Sequence, residues 1–265
     1  MFLAGEVLEK VRKEKPLVHH ITNWVTIYDC ANVVRTIGAF PVMAHAINES
    51  PQMQSISSSL VLNIGTLTSE LVESMIEAAK SANRLNHPVV LDAVGVGATD
   101  LRTKKAKEIL NSVKIDVLKG NKSEIAKLAG ADVFTRGVEA MEVDENLSEL
   151  AENLANDWNN TVVITGAHDI VATKNKTYVV KNGHEMLGKF VGTGCMVTSV
   201  IGSFVAVEPD YAKASASALA YFGVAAELAI EKKKTPAAFK QQFFDELYEL
   251  EASELNEMQE IEELE

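Results

Sequence analysis

Cysteine is scarce. Cys30 and Cys195 are the two thiols among 265 residues, and a pair of cysteines makes neither a disulfide framework nor, by itself, a zinc site. A reducing cytoplasm is the compartment this predicts. No run of about 18 apolar residues occurs, so no membrane span is expected. Residues 1–15 mix Glu and Lys into the apolar positions, which predicts a helix and not a secretory or transit segment. His19, His20 and His45 fall in no HExxH or HxH spacing, so a histidine-based zinc centre has no pattern to stand on. Positive charge is also short: 25 Lys and Arg stand against 37 Asp and Glu, a net charge of −12. Residues 251–265, EASELNEMQEIEELE, hold seven Glu and no base, so residues 1–250 carry only −5. Without a basic stripe to follow phosphates, nucleic acid is excluded as a partner. Leu255, Met258, Ile261 and Leu264 recur every third residue in this acidic tail, which is read as a frayed, solvated helix.

The chain does have enough apolar content, 47%, for a sizeable core, and a charged fraction of 23% typical of globular proteins. It alternates short apolar runs with helical patterns. LVLNIG (60–65), PVVLDAVG from Pro88, DVLKG (116–120) and TVVITG (161–166) predict strands. Helices are expected over 69–86, over about 103–112, after Asn121 as cap candidate up to Gly130, and over about 194–206, 211–231 and 236–250. DIVATK and TYVVKNG flank Asn175 as a hairpin. The polar stretch 132–146 is read as a loop. Strand–helix–strand units predict an α/β fold with a mainly parallel central sheet, helices on both faces and an antiparallel edge. The expected organisation is one domain over 1–250 and the acidic tail over 251–265.

In open α/β sheets, ligands bind beyond the carboxyl ends of the strands. Polar and glycine residues gather at such ends here: Asn63 to Thr66, Asp92 to Gly97, Lys119 to Asn121, and Thr165 with Gly166. Gly192-Thr193-Gly194-Cys195 precedes an apolar helix, the arrangement that builds an anion cradle from backbone N–H groups and a helix N-terminus. A glycine-rich turn that merely starts a buried helix is also compatible with that tetrapeptide. Asp92 ends an apolar strand, where a carboxylate needs a cap, a partner or a metal. With Glu124 it could hold Mg²⁺ directly or through water. The plainer readings are a turn-capping Asp and a first-turn Glu favoured by the helix dipole. GVGAT lacks the third glycine of a dinucleotide fingerprint. Asn23 and Met43, taken alone, read as a turn amide and a core sulfur.

HHITNWVT, PVMAHA, LVLNIGTL, VVLDAVGVGAT, LKGN with SEI, VVITG and VGTGC occur in one order along the chain. Together they resemble the hydroxyethylthiazole kinases of the ribokinase-like superfamily, over about residues 4–250. The resemblance implies a ribokinase-like fold and transfer of the ATP γ-phosphoryl group to the primary hydroxyl of 4-methyl-5-(2-hydroxyethyl)thiazole, in thiamine salvage. It also implies Mg²⁺, and a homotrimer with active sites between subunits. By motif match, Asn23, Met43 and Gly192 fall on the thiazole side, and Lys119 and Thr165 on the ATP side. Asp92 and Glu124 fall in the metal and phosphate network. Cys195, flanked by Gly192 and Gly194, falls on the catalytic base.

The sequence departs from the family pattern in three places. Lys119 stands where many relatives have Arg, Ala93 where Pro is usual, and His20 where Asn is common. A lysine supplies a point charge in place of a bidentate fork. A thiol is a modest base, but phosphoryl transfer passes through a loose transition state in which positioning and charge neutralisation dominate. Four other readings come from different activities: a cysteine hydrolase using Cys195 as nucleophile, a nucleotide-dependent hydrate dehydratase, a catalytically silent binding protein, and a kinase for a hydroxymethylpyrimidine. The HITN and PVMAHA segments match the thiazole kinases, and Asp92, Glu124 and Cys195 are all in place.

Overall fold

The computed structural model describes residues 2–130 and 140–264, with the side chains of 140–146 left out. One nine-stranded sheet organises them, in the order β2-β1-β3-β4-β5-β6-β7-β8-β9. The strands are β1 (Leu17–Ile21), β2 (Phe40–Val42), β3 (Ser59–Asn63), β4 (Val89–Asp92), β5 (Val117–Asn121), β6 (Thr161–Thr165), β7 (Asp169–Ala172), β8 (Thr177–Val180) and β9 (Ile261–Leu264). The first six in that spatial order pair in parallel, and β7, β8 and β9 are antiparallel additions. The mainly parallel sheet with an antiparallel edge is therefore the observed architecture.

Both faces of β3, β4, β5 and β6 are buried, which is why they read as continuous apolar runs. Leu60, Leu62, Leu91, Leu118 and Val162 face a core closed by α4 (Ser69–Leu85), α5 (Asp100–Ser112), α6 (Lys122–Leu128) and α7 (Ala140–Trp158). Val61, Val90, Val117 and Val163 face the other core. That core holds α1 (Ala4–Glu14), α2 (Ile27–Thr36), α8 (Thr193–Val205), α9 (Tyr211–Lys232) and α10 (Pro236–Glu249). α3 (Ser50–Ser55) packs on α4. α8 lies so close to the sheet that a Cβ on Gly202 would sit 2.3 Å from Val61 Cγ2. None of the described helices is long and apolar enough to cross a membrane.

Three local expectations need correction. The loop expected at 132–146 is helical from Ala140, the start of α7; residues 132–139 lie outside the described residues. The helix expected from about 103 begins at Asp100, because Thr99 caps it by accepting the Arg102 N–H. The tail is not a solvated helix. Residues Ala252–Met258 form α11, which packs on α1, and Ile261–Leu264 become β9 on the edge of β8. Its apolar repeat has a use: Leu255 and Ile261 are buried. Asn256 Oδ1 accepts the Gly5 N–H at 2.8 Å and Gln259 Oε1 accepts the Ala4 N–H at 2.8 Å, satisfying two donors at the start of α1.

β1 contributes a buried histidine. His20 bonds to the Val18 carbonyl through Nδ1 at 3.0 Å, while its Nε2 is buried without a partner. Burial lowers its pKa from 6.5 to about 3. Between those values the unfolded chain binds a proton that the folded chain refuses, so stability is full above pH 6.5 and declines as pH falls. His20 alone should cost about 2 kcal/mol between pH 7 and pH 5. His20→Asn should remove that share of the decline, as read from urea unfolding at the two pH values. Deleting residues 251–265 should lower Tm by roughly 10 °C in a thermal melt, since it unpairs two α1 donors and removes the buried side chains of Leu255 and Ile261.

Candidate active site

The chain runs from β1 outward to β2 and then returns to the other side of β1 as β3. Crossovers leaving in opposite directions open a crevice at the carboxyl ends of β1 and β3, where open α/β sheets bind ligands. The last residues of β3, β4 and β6 and the middle residue of β5 share one parity with the inward valines two positions earlier. Asn63, Asp92, Lys119 and Thr165 therefore point to the α8 side of the sheet. Asn63 pairs in register with Asp92, and Asp92 with Lys119.

Asp92 and Lys119 form a buried ion pair at 3.2 Å. Asp92 Oδ2 also accepts from Asn63 Nδ2 at 2.9 Å and from Thr198 Oγ1 at 2.7 Å. Burial pushes the Asp92 carboxyl up, and the Lys119 ammonium beside it pulls the other way. Burial pulls Lys119 down, but Asp92, Cys195 and Glu124 together more than offset this and its pKa lies above the ordinary value. Three donors around one carboxylate favour its ionised form against the burial that raises its pKa. Lys119 Nζ donates once more, to the Gly194 carbonyl at 3.0 Å, and so ties the start of α8 to the sheet.

Gly192 is the N-cap of α8, with φ +107°, a conformation that suits glycine. A Cβ there would also sit 2.9 Å from Thr26 Cγ2. No side chain caps this helix, so the first-turn N–H groups are left to a ligand. The loop before it is anchored by Phe190, whose ring packs on Phe239 and under the Lys240 ammonium.

Cys195, in that first turn, is half-buried, and Asn23 Nδ2 donates to its Sγ at 3.4 Å. The orientation of Asn23 is fixed. Its Oδ1 accepts the Val25 and Thr26 N–H groups at 3.1 Å each, and its Nδ2 also meets Thr26 Oγ1 and Asn63 Oδ1. The other thiol, Cys30, is buried, which raises its pKa to about 11.

A cavity of about 430 Å³ collects Asn23, Lys119, Glu124, Thr165, Gly192, Gly194 and Cys195 on its walls. Asp92 lies beneath it as the partner of Lys119. Met43, just past β2, does not line it. A second cavity of about 500 Å³ adjoins the first, sharing Thr165 and Gly194; it runs between the β6–β7 turn and the His184 loop. The sequence reading had not found this second space, nor the part played by Thr198. Thr198 was detectable, because it follows Gly194 by one helical turn and so shares its face.

Glu124 closes a capping box. Its Oε2 accepts the Asn121 N–H at 2.7 Å while Asn121 caps α6 in return, and its Oε1 accepts the Gly95 N–H at 2.7 Å. Among the described residues, no group of three or more His, Cys, Asp or Glu is arranged to hold a metal ion. Each Glu124 oxygen has one protein donor, as has Asp92 Oδ1, so lone pairs remain for the water shell of a hard cation.

The chain matches proteins of known family. Residues 8–253 match the model of the hydroxyethylthiazole kinase family. The chain is 53% identical to a hydroxyethylthiazole kinase of Methanosarcina mazei over 257 residues, covering 97% of this chain and 98% of that one. It is 52% identical to the enzyme of that name from Thermoanaerobacter pseudethanolicus, covering 94% and 95%. The solved hydroxyethylthiazole kinase protein of Pyrococcus horikoshii superposes with a TM-score of 0.92 at 43% identity, over 99% of each chain. A ribokinase-like superfamily protein of Enterococcus faecalis, 10% identical with a TM-score of 0.65 over 94% and 95%, shares the fold. A helix start stripped of its cap, a thiol in its first turn and a buried Asp–Lys pair below it thus sit in a sequence matched almost end to end, and the chain belongs to the hydroxyethylthiazole kinase family.

Proposed function

We propose that the protein transfers the γ-phosphoryl group of ATP to the primary hydroxyl of 4-methyl-5-(2-hydroxyethyl)thiazole. The observation that carries this reading is the uncapped start of α8, which opens into the cavity between Cys195 and Lys119. The exposed N–H groups and the positive helix end receive the migrating phosphoryl group. Lys119, already tied to Gly194, neutralises charge as the bond to the leaving phosphate breaks. The alcohol lies near Asn23 and Gly192, with its oxygen at Cys195. As the new P–O bond forms and the bond to ADP breaks, the hydroxyl proton passes to the Sγ of Cys195, which acts as the thiolate and becomes the neutral thiol, kept in line by the Asn23 amide. The adjoining cavity beyond Thr165 is large enough for the nucleoside of ATP.

Mg²⁺ suits this donor set when it is held through its own water. Glu124 and Asp92 keep free lone pairs but no unshared carboxylate, and magnesium gives up water reluctantly. Bound there, the ion would offset phosphate charge.

The rim of the cavity is apolar. Val25 and Val191 line it and are 69% and 71% exposed, and Trp24 and Tyr28 stand beside them at 57% and 77%. Such a patch is unusual on a monomer. We read it as the surface buried in a homotrimer, with the site completed at the contact and Met43 supplied to a neighbour's thiazole pocket.

Two outcomes test these assignments. ADP release with magnesium, ATP and the thiazole alcohol should be rapid, and Cys195→Ala should lower kcat by about 100-fold while moving KM for the alcohol less than about threefold; unchanged turnover would remove Cys195 from the base role. Sedimentation velocity should give a trimer, and Met43→Ala should raise KM for the alcohol several-fold without altering KM for ATP. A monomeric boundary with full activity would refute the shared site.

A further inference from the structure

Arg102 lies outside the cavity, behind its wall, and none of the motifs above accounts for it. It sits in the first turn of α5 and is half-buried. Its guanidinium donates to three main-chain carbonyls: Nη1 to Ile64 at 3.0 Å and Val94 at 3.1 Å, and Nη2 to Gly65 at 2.7 Å. Ile64 and Gly65 follow β3, and Val94 follows β4. One side chain therefore pins both loops that leave the strands on either side of the Asn63–Asp92 hydrogen bond.

Each pinned loop touches a group used in the proposed reaction. Gly65 lies directly against Asn23: a Cβ there would sit 2.9 Å from Asn23 Cβ, and the Gly65 N–H donates to Asn63 Oδ1 at 2.9 Å. Asn63 Oδ1 in turn receives Asn23 Nδ2, the donor to Cys195. On the other side, Val94 is followed by Gly95, whose N–H holds Glu124 Oε1 at 2.7 Å. Gly95 has φ +76° and lies against the guanidinium itself, a Cβ there being 3.1 Å from Arg102 Nη1. The planar fork of an arginine can serve three carbonyls at once; an ammonium is a point donor and cannot span them equally.

We propose that Arg102 is a positioning residue for the reacting end of the cavity, where the alcohol meets the phosphoryl group: by clamping the Ile64–Gly65 and Val94 carbonyls it sets where Asn23 and Glu124 stand. The proposal rests on the kinase reading for its kinetic form. The nucleoside side, between the β6–β7 turn and the His184 loop, is not touched by these contacts.

The test compares full-length wild type with Arg102→Ala and Arg102→Lys. For Arg102→Ala the expected result is a KM for the thiazole alcohol raised about tenfold and a kcat lowered about tenfold, with KM for ATP within twofold, since small displacements of positioning groups carry large rate penalties. Guanidinium ion at millimolar concentration should restore at least a third of the lost rate, and Arg102→Lys should fall between the two. Iodoacetamide should label Cys195 several-fold faster in Arg102→Ala, because Asn23 no longer holds the thiol. Equal losses toward both substrates without guanidinium rescue, or unchanged kinetics in a folded variant, would overturn the proposal. If wild type does not phosphorylate the thiazole alcohol, the kinase reading fails by itself, and the labelling rate still decides Arg102: no change sinks the clamp.

Discussion

The buried pair of Asp92 and Lys119 is the interaction on which the rest of the molecule turns. A carboxylate and an ammonium removed from water recover their lost hydration only with good geometry and further hydrogen bonds. Both are present. Asn63 and Thr198 complete the carboxylate, and the Gly194 carbonyl completes the ammonium. These contacts join β3, β4, β5 and α8 through one charged knot. Removing either partner would leave an uncompensated charge in a dry place, so the pair fixes the distance between the helix start and the sheet.

That distance determines what the cavity can do. Because Lys119 is fastened to Gly194, its charge and the dipole of α8 act on the same small volume. Cys195 follows one residue later and is held by an amide whose orientation two backbone donors dictate. The polar groups of the cavity are thus held by the protein's own contacts and have little left to rearrange. Preorganisation of this kind is what phosphoryl transfer requires of a protein, since the chemistry asks for placement and charge compensation more than for a strong base.

Much of this was legible in the residues themselves. The four apolar runs ending in Asn63, Asp92, Lys119 and Thr165 announced both the parallel sheet and its functional rim, because strand parity sends those last side chains to one face. GTGC before an apolar run announced the helix start. What the residues hid was non-local. β1 has His19 and His20 in the middle of its apolar run, β2 is only three residues long, and the helix between them, α2, begins without a side-chain cap. The tail looked solvated because its glutamates dominate local composition, whereas its fate is decided by donors at the far end of the chain, Ala4 and Gly5. Glu124 carried two meanings, first-turn capping and metal support. Its bond to Gly95, 29 positions away, could be seen only in space. Met43 stayed a matter of motif, for it does not meet Cys195 within one chain.

The two margins of the sheet carry a further consequence. β2 has Pro41 at its centre, a residue with no N–H to offer, and β9 turns Glu262 and Glu263 to its exposed positions. A missing donor at one border and charged side chains at the other, Glu263 and the Glu262–Lys181 pair, discourage a stray polypeptide from docking alongside and extending the ladder. The fold thereby guards itself against fibrous growth, and association between copies is left to side-chain surfaces elsewhere.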